Sequence, residues 1–194
     1  MTFIDLTHII DNDIKEFPED PKTEIKRLNI DDCVLSSYST SLHTGTHIDS
    51  PFHYFYDKKI SDYSVDSFIG ITTVINTSQK IINSTETFEE IVIINTGNSK
   101  YWGKDEYFMD YPYLSIDFAK RLVSENVKGV AIDTCSVDKI GENKIHNILL
   151  ENNIWIAENI NSYGKLNDKK YKGYFIPIKI KAEASQIRAF VKRI

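Results

Sequence analysis

The feature that most constrains this chain is the stretch from His43 to His53, which reads HTGTHIDSPFH. It holds three of the chain's five histidines and a carboxylate, Asp49, within eleven positions. Imidazole and carboxylate groups together are ligands that suit divalent transition metals, zinc above all. This stretch therefore predicts a metal site, and little else in the chain points to chemistry.

The spacing within this stretch favours an extended segment over a helix. His43 and His47 are four residues apart, as two ligands on one helix face would be, but the Thr-Gly-Thr between them and a nearby proline disfavour a helix. In a strand, His47 and Asp49 point to the same side. We therefore expect His43, His47 and Asp49 to converge on one ion, with His53 at its edge. The alternative is a polar loop whose histidines are solvated or paired with carboxylates.

Further ligands must come from distant parts of the sequence. The only other histidines are His8 and His146, and His146 lies in a helical window. Glu158 ends an apolar strand, which is an unusual position for a solvated charge, although a strand end facing water is the simpler interpretation of Glu158 alone. A carboxylate shared by two metals holds them about 3.5–4 Å apart, and Asp49 is the best candidate for that bridge.

Composition limits the classes of protein that fit. The 194 residues suit one domain, 1–194, and 41% hydrophobic with 26% charged residues is ordinary for a globular protein. The net charge of −5 argues against a broad nucleic-acid surface, and no apolar run approaches the roughly 20 residues of a membrane span. Cys33 and Cys135 form no CxxC pair, so we expect free thiols in a cytoplasmic protein without a signal peptide.

Strands and helices both occur, which predicts an α/β or α+β fold. Apolar and β-branched runs predict strands at Phe3–Leu6, Val34–Ser41, Ile71–Asn76, Ile91–Asn95, Val127–Asp133, Ile154–Glu158 and Tyr174–Ile180. Helices are predicted at Ser115–Asn126, with Ser115 as the N-cap, and at Lys144–Asn152. Polar loops are expected at Asp11–Lys15 and Asn167–Lys172.

The histidine stretch resembles the signature of the cyclase family of metal-dependent hydrolases, which includes bacterial kynurenine formamidases. That signature is H-x-G-T-H-x-D-x-P-x-H, and His43 to His53 match every fixed position. The resemblance extends over essentially the whole chain. Further matches are Asp5-Leu6-Thr7-His8, the loop Phe17–Pro21, Thr96-Gly97 with Tyr101-Trp102, Tyr111-Pro112, the D-T-x-S-x-D motif of Asp133–Asp138, His146, Glu158-Asn159 and Arg188-Ala189.

The resemblance implies a role for each residue of the site. His43, His47 and Asp49 would bind one metal, Asp49, His146 and Glu158 would bind a second, and His53 would be the catalytic acid and base. The metals would be zinc, with manganese used by some relatives. The implied fold is a compact single α/β domain of the swivelling β/β/α type, with a mixed, barrel-like sheet and flanking helices, assembled as a homodimer or higher homo-oligomer.

Two departures from the family pattern concern the substrate more than the chemistry. Cys135 stands where relatives commonly have proline, and the Phe17–Pro21 loop lacks the tryptophan and glycine common in formamidases of this family. Phe17 and Trp102 are the candidate substrate-binding residues, because aromatic side chains suit an aromatic ring. His8 is expected to be structural, and Cys135 a packed thiol.

Three interpretations remain open. The first is a hydrolase that uses metal-activated water to cleave a carbon–nitrogen bond in a small arylformamide such as N-formylkynurenine. The second is a related hydrolase that opens another cyclic or acyl amide, such as an isatin-like ring. The third is a non-catalytic protein that uses metal for structure or ligand binding, and the presence of His53 favours catalysis over it.

Overall fold

A closed barrel of seven strands lies at the centre of the fold, with an eighth strand added beside it. The computed structural model describes residues 2–167 and 170–194. The strands are β1 Phe3–Asp5, β2 Glu24–Ile30, β3 Cys33–Ser39, β4 His47–Asp49, β5 Ile69–Asn76, β6 Ile81–Ile82, β7 Ile91–Asn95, β8 Tyr113–Leu114, β9 Gly129–Ile132, β10 Trp155–Glu158, β11 Lys170–Pro177 and β12 Ala184–Arg193. The helices are α1 Phe52–Phe55, α2 Ile116–Ser124 and α3 Lys144–Glu151, with short 3-10 helices at Ile60–Asp62, Val65–Phe68, Asn98–Tyr101 and Asp105–Phe108.

The barrel closes through β4, which pairs with β10 on one side and with β12 on the other. The order around the ring is β12-β11-β5-β7-β9-β10-β4, and β1 is added at β12. The pairs β5–β7, β7–β9 and β9–β10 are parallel, and the remaining pairs of the ring are antiparallel. This mixed, closed sheet confirms the predicted α/β fold with a barrel-like core.

Apolar side chains fill both faces of the central strands. On β7, Ile91 and Ile93 belong to the cluster enclosed by the barrel, where they pack with residues such as Phe175. The alternating residues Val92 and Ile94 belong to a second cluster, formed with the helices. Parallel strands that are covered on both faces are hydrophobic throughout, which is why this segment was recognisable in the sequence.

Helices α2 and α3 cover one side of the barrel and confirm both helix predictions to within two residues at each end. Ser115 is the N-cap of α2, as expected, and its Oγ accepts a hydrogen bond from the backbone N–H of Phe118 at 3.1 Å. Phe118 and Leu122 of α2 pack with Leu149 of α3 in the outer cluster. Burial of these amphipathic faces fixes the helices on the sheet.

Four strands of the structure were not predicted, namely the two-residue strands β6 and β8 and the longer strands β2 and β12. In β12 the buried Ile187, Ala189 and Val191 alternate with the more exposed Arg188, Phe190 and Lys192, a period-two pattern that is typical of a strand. Strand β2 is polar and exposed along nearly its whole length, so it has no apolar run to reveal it. It pairs with β3, whose observed bounds lie close to the predicted Val34–Ser41.

The polar loop predicted at Asn167–Lys172 was wrong at its C-terminal end, because residues 170–172 belong to β11. Residues 168 and 169 lie outside the described part of the chain. Strand β11 also ends at Pro177, before the predicted end at Ile180. Tyr171 and Gly173 lie inside β11, and Tyr171 is buried. Because polar residues flank Tyr171, the start of this barrel strand has the composition of a polar loop.

Strands β2 and β3 form a two-stranded hairpin that pairs with no other strand of the described chain. All residues of β3, and all but one of β2, are exposed.

Within the described residues, no helix has both the length and the apolar character needed to cross a bilayer.

Candidate metal centre

Strand β4 positions two candidate ligands and its neighbour β10 positions a third. His47 and Asp49 are two residues apart on β4 and their side chains meet on one side, as predicted, with His47 Nε2 3.4 Å from Asp49 Oδ1. In the antiparallel pairing of β4 with β10, His47 lies opposite Glu158. Strand register thus brings together residues that are far apart in the sequence.

The two carboxylate oxygens of Asp49 face different histidines. Oδ1 lies 3.0 Å from His43 Nδ1, whereas Oδ2 lies 3.6 Å from His146 Nε2. Glu158 spans the same space, with Oε1 3.2 Å from His146 Nε2 and Oε2 3.7 Å from His47 Nε2. Asp49 therefore stands between two groups of nitrogen donors, which is the arrangement expected of a carboxylate shared by two ions.

The hydrogen bond of His47 identifies the nitrogen that can bind a metal. Nδ1 lies 3.0 Å from the carbonyl oxygen of Gly45, which only accepts, so Nδ1 carries the proton and Nε2 presents a lone pair. This Nε2 and both oxygens of Asp49 are buried and make no hydrogen bond of acceptable geometry with any residue of the described ranges. A lone pair facing carboxylates is unfavourable unless a cation lies between them. The donor set therefore fits a divalent metal.

Asp138 fixes the orientation of the His146 ring, as the Gly45 carbonyl does for His47. Its Oδ2 lies 2.7 Å from His146 Nδ1, which directs Nε2 of the ring toward Asp49 and Glu158. The same carboxylate accepts the backbone N–H groups of Ile145 at 2.7 Å and His146 at 2.9 Å, at the start of α3. One side chain thus caps the helix and orients the imidazole that the helix carries.

Asn159, which directly follows β10, forms hydrogen bonds with the segment just before β4. Its Nδ2 donates to the carbonyl oxygen of Gly45 at 2.9 Å, and its Oδ1 accepts from the hydroxyl of Tyr107 at 2.8 Å. Its backbone oxygen accepts from Thr46 Oγ1 at 2.7 Å. Asn159 and Gly45 both have left-handed backbone conformations, with φ of 58° and 73°, which asparagine and glycine tolerate best.

Charges within the cluster shift its pKa values in opposite directions. Burial opposes ionisation, but the Asp49 carboxylate raises the pKa of His43 to about 9. Burial also disfavours ionised Asp49, yet the nearby His43 and His47 hold its pKa well below the usual range. For His146, the Glu158 charge and the Asp138 hydrogen bond outweigh burial and raise the pKa. Without a cation, protons on His43 and His146 balance the negative charge of the carboxylates.

His53 lies at the edge of the cluster, as expected. It is on α1, which begins directly after Pro51, and its ring centroid lies 4.5 Å from that of His43 and 6.1 Å from that of His146. Burial lowers the pKa of His53 more than the Asp49 charge raises it. The side chain is therefore mostly neutral at neutral pH and is only half-buried.

A cavity of about 320 Å³ opens onto the cluster. Both predicted substrate-binding residues, Phe17 and Trp102, line it, together with Phe108 and Tyr111. The indole of Trp102 stacks on the ring of His8, with centroids 4.0 Å apart and planes at 11°. Burial lowers the pKa of His8 to about 3, so this ring stays neutral and supports the aromatic wall.

Cys135 also lines the cavity, and it is a free thiol, as is the exposed Cys33. Burial raises the pKa of the Cys135 thiol, which keeps it protonated and makes it a poor nucleophile. It packs with Tyr107 and Tyr111 in a small apolar cluster. These contacts agree with the expected role of Cys135 as a packed thiol.

The structure brings the six predicted residues into one cluster, but the closest donor groups differ from the implied ligand sets. Donor atoms of His43, Asp49 and His53 lie within 4.8 Å of one another, as do those of His47, Asp49 and Glu158. Sequence reasoning missed the positioning roles of Asp138 and Asn159. Asp138 is the last residue of the D-T-x-S-x-D motif and Asn159 is the second residue of the E-N pair. These two motifs are therefore the sequence signal for both positioning residues.

Comparison with known proteins agrees with this geometry. The sequence model of the cyclase family matches residues 4–139. An uncharacterized protein of Methanocaldococcus jannaschii is 34% identical over 97% of each chain, and the kynurenine formamidase of Bacillus anthracis is 28% identical over 99% of this chain and 98% of its own. Among solved structures, isatin hydrolase A of Labrenzia aggregata has a TM-score of 0.85 at 19% identity, covering 98% of this chain and 93% of its own.

The structure is a closed mixed barrel in which a cavity opens onto a buried cluster of imidazoles and carboxylates, a candidate metal centre. The chain belongs to the cyclase family and is a hydrolase.

Proposed function

We propose that this protein is a metal-dependent amidohydrolase that cleaves the carbon–nitrogen bond of an arylformamide, with N-formylkynurenine as the candidate substrate. The observation that carries the proposal is the set of buried donor atoms of His47 and Asp49 that make no hydrogen bond of acceptable geometry with the described residues and lie beside an aromatic-walled cavity. The full-length similarity to kynurenine formamidases supports the choice of substrate.

Five side chains would hold the metal in this proposal, and they are His43, His47, Asp49, His146 and Glu158. Their imidazole and carboxylate groups suit zinc best, with two ions sharing Asp49, and manganese is the alternative. A divalent cation held by these donors would polarise the carbonyl oxygen and lower the pKa of water from about 15.7 to about 7.

His53 would move the proton that the reaction requires. As the oxygen of water bonds to the carbonyl carbon, the neutral imidazole accepts a proton from that water. It then donates the proton to the leaving nitrogen as the carbon–nitrogen bond breaks, giving an aromatic amine and formic acid, which releases its proton to solvent as formate. Its half-buried position in the lining of the cavity, beside His43, supports this role.

Replacement of His53 tests the proposed function. We expect His53→Ala to reduce kcat for N-formylkynurenine by about 10²–10⁴-fold, because general acid–base catalysis contributes that much, while the metal content per chain stays unchanged. Turnover is measured from released formate and kynurenine, with isatin as the competing substrate. Preference of the wild type for isatin would contradict the arylformamide assignment, and normal turnover by the variant would contradict the role of His53.

We also propose that the protein is a homodimer joined through the β2–β3 hairpin. A lone two-stranded hairpin is only marginally stable in water, and this one exposes 54% of Leu28, 55% of Leu35 and 69% of Val34. Leu28 and Leu35 are paired across the strands and so share a face. In a two-fold, antiparallel contact, the acidic turn of one hairpin, Asp31 and Asp32, would lie against the positively charged side chains in the middle of strand β2 of the other hairpin.

Disrupting the shared apolar face tests this dimer. We expect the double variant Leu28→Ser/Leu35→Ser to be monomeric at concentrations where the wild type is dimeric, as measured by light scattering after size exclusion. The matched control is Ile178→Ser, because Ile178 is 59% exposed but lies outside the hairpin. A monomeric wild type, or an unchanged dimer in the double variant, would exclude the hairpin as the interface.

Two free cysteines suit a reducing compartment, which supports a cytoplasmic location.

A further inference from the structure

The charged side chains that line the cavity, apart from the metal cluster, are mostly neutralised by neighbours. Lys15 Nζ lies 2.6 Å from Asp105 Oδ1, Glu16 Oε2 lies 2.9 Å from Lys22 Nζ, and Glu142 Oε2 lies 2.9 Å from Lys144 Nζ. These pairs leave little net charge for a substrate to recognise.

Two lining residues have no ion pair with any other residue in the described ranges, and they are Lys139 and Asp20. Lys139 follows Asp138, the residue that orients His146, and lies in the turn before α3, where its carbonyl oxygen accepts the N–H of Glu142 at 2.9 Å. Asp20 lies in the Phe17–Pro21 loop, in a turn where its N–H donates to the carbonyl oxygen of Phe17 at 3.1 Å. One unpaired cation and one unpaired anion therefore border the same cavity from different segments.

The loop that carries Asp20 is held in a defined conformation. Glu16 is buried and accepts the backbone N–H of Thr23 at 2.6 Å, which closes the loop on itself, and the ring of Phe17 meets that of Phe108 edge-on at 6.0 Å. A charge on a tethered loop loses less conformational freedom on binding than one on a free loop. Asp20 is therefore suited to recognise a fixed charge on a ligand.

We infer that Lys139 and Asp20 are specificity-determining residues that recognise, respectively, the carboxylate and the ammonium group of an amino-acid tail on the aromatic substrate. This inference rests on the proposed function and narrows the substrate class to arylformamides that carry a zwitterionic tail. The aromatic wall of Trp102, Phe108 and Tyr111 then contacts the ring, and the two charged residues contact the tail. An uncharged lactam such as isatin has no group for either residue.

The experiment compares two substrates that differ only in the tail. N-formylkynurenine has the amino-acid group, and 2-formamidoacetophenone is the same aryl formamide without it. For Lys139→Gln and for Asp20→Asn, the ratio of kcat/KM for the first substrate over the second should fall about fivefold, the value of one partly solvated ion pair. The change should lie in KM for N-formylkynurenine and not in kcat, because the tail is remote from the reacting bond.

Lys120→Gln is the matched control, since Lys120 is an exposed lysine of α2 that does not line the cavity, and its ratio should equal that of the wild type. An unchanged ratio in Lys139→Gln and in Asp20→Asn would overturn the inference, and so would equal losses for both substrates.

A binding measurement separates this inference from the proposed reaction. Calorimetry on the purified protein compares kynurenine with 2-aminoacetophenone, which lacks the tail. The wild type should bind kynurenine more tightly, and Lys139→Gln should lose that preference about fivefold. If neither formamide is hydrolysed, the proposed function fails, while equal affinity of the wild type for the two amines would refute the recognition of the tail.

Discussion

At the scale of single residues, Asp138 determines which nitrogen of His146 faces the cluster. A carboxylate only accepts hydrogen bonds, so the contact of 2.7 Å between Asp138 Oδ2 and His146 Nδ1 requires a proton on Nδ1. The lone pair of Nε2, which faces Asp49 and Glu158, is then available to a metal. Gly45 fixes His47 in the same tautomer through its carbonyl oxygen. Two hydrogen-bond acceptors, the Gly45 carbonyl and the Asp138 carboxylate, thus orient the two candidate ligands His47 and His146.

Replacing this carboxylate by an amide should weaken metal binding. In Asp138→Asn, the amide oxygen in the place of Oδ1 can still accept the backbone N–H of Ile145. The amide NH₂ in the place of Oδ2 cannot accept the backbone N–H of His146, and it faces His146 Nδ1 and favours the opposite tautomer. We expect the affinity for zinc to fall about 10–100-fold, as for other residues that orient a metal-bound histidine. Competition with a chromophoric chelator measures the affinity.

Ser115→Ala is the control for Asp138→Asn, because it removes a cap from α2 without touching the cluster. It should cost about 1 kcal/mol of stability and leave zinc affinity unchanged. Unchanged zinc affinity in Asp138→Asn, with helix content preserved in both variants, would show that Asp138 only caps the helix.

At the scale of elements, the local sequence predicted the segments whose burial is continuous. Strand β7 was predicted with its observed bounds, and α2 was predicted together with its cap, because apolar periodicity and capping chemistry are local properties. Strand β2 was missed because it is exposed, and the start of β11 was missed because charged residues flank its buried Tyr171. Their strand conformation depends on partners far away in the sequence, which no local pattern reports.

The packing of β9 against β10 depends on one glycine. A Cβ at Gly129 would lie 2.1 Å from the ring of Trp155, its partner in the strand pairing, which is far inside van der Waals contact. Trp155 is almost fully buried and its indole N–H donates to the carbonyl oxygen of Ser67 at 2.9 Å, so the ring has little room to move.

Gly129→Ala should therefore lower the free energy of unfolding by about 3 kcal/mol, at the upper end of the cost of overpacking. Urea denaturation measures the loss. In a Trp155→Val background the same substitution should cost much less, because the clashing ring is gone. An equal cost in both backgrounds would mean that the clash with Trp155 is not the cause.

At the scale of the whole molecule, closure of the barrel is what assembles the site. The sequence suggested that His43, His47, Asp49, His53, His146 and Glu158 belong together, through a motif and a family resemblance. It could not give the pairing of β4 with both β10 and β12, which sets His47 opposite Glu158 and holds Asp49 between the histidines. Register in a closed barrel is a global property, since each pairing is fixed only when the ring is complete. The assignment of residues 1–194 to one domain stays a prediction.

The metal content per chain, measured by plasma mass spectrometry on protein purified without a histidine tag, shows directly whether the cluster is a metal centre. We expect about two divalent ions per chain in the wild type and about one in His146→Ala, because Asp49 would serve both ions and His146 only one. A wild type that contains no metal and takes up none on reconstitution would contradict the proposed metal centre, and the buried donors of His47 and Asp49 would then need another explanation.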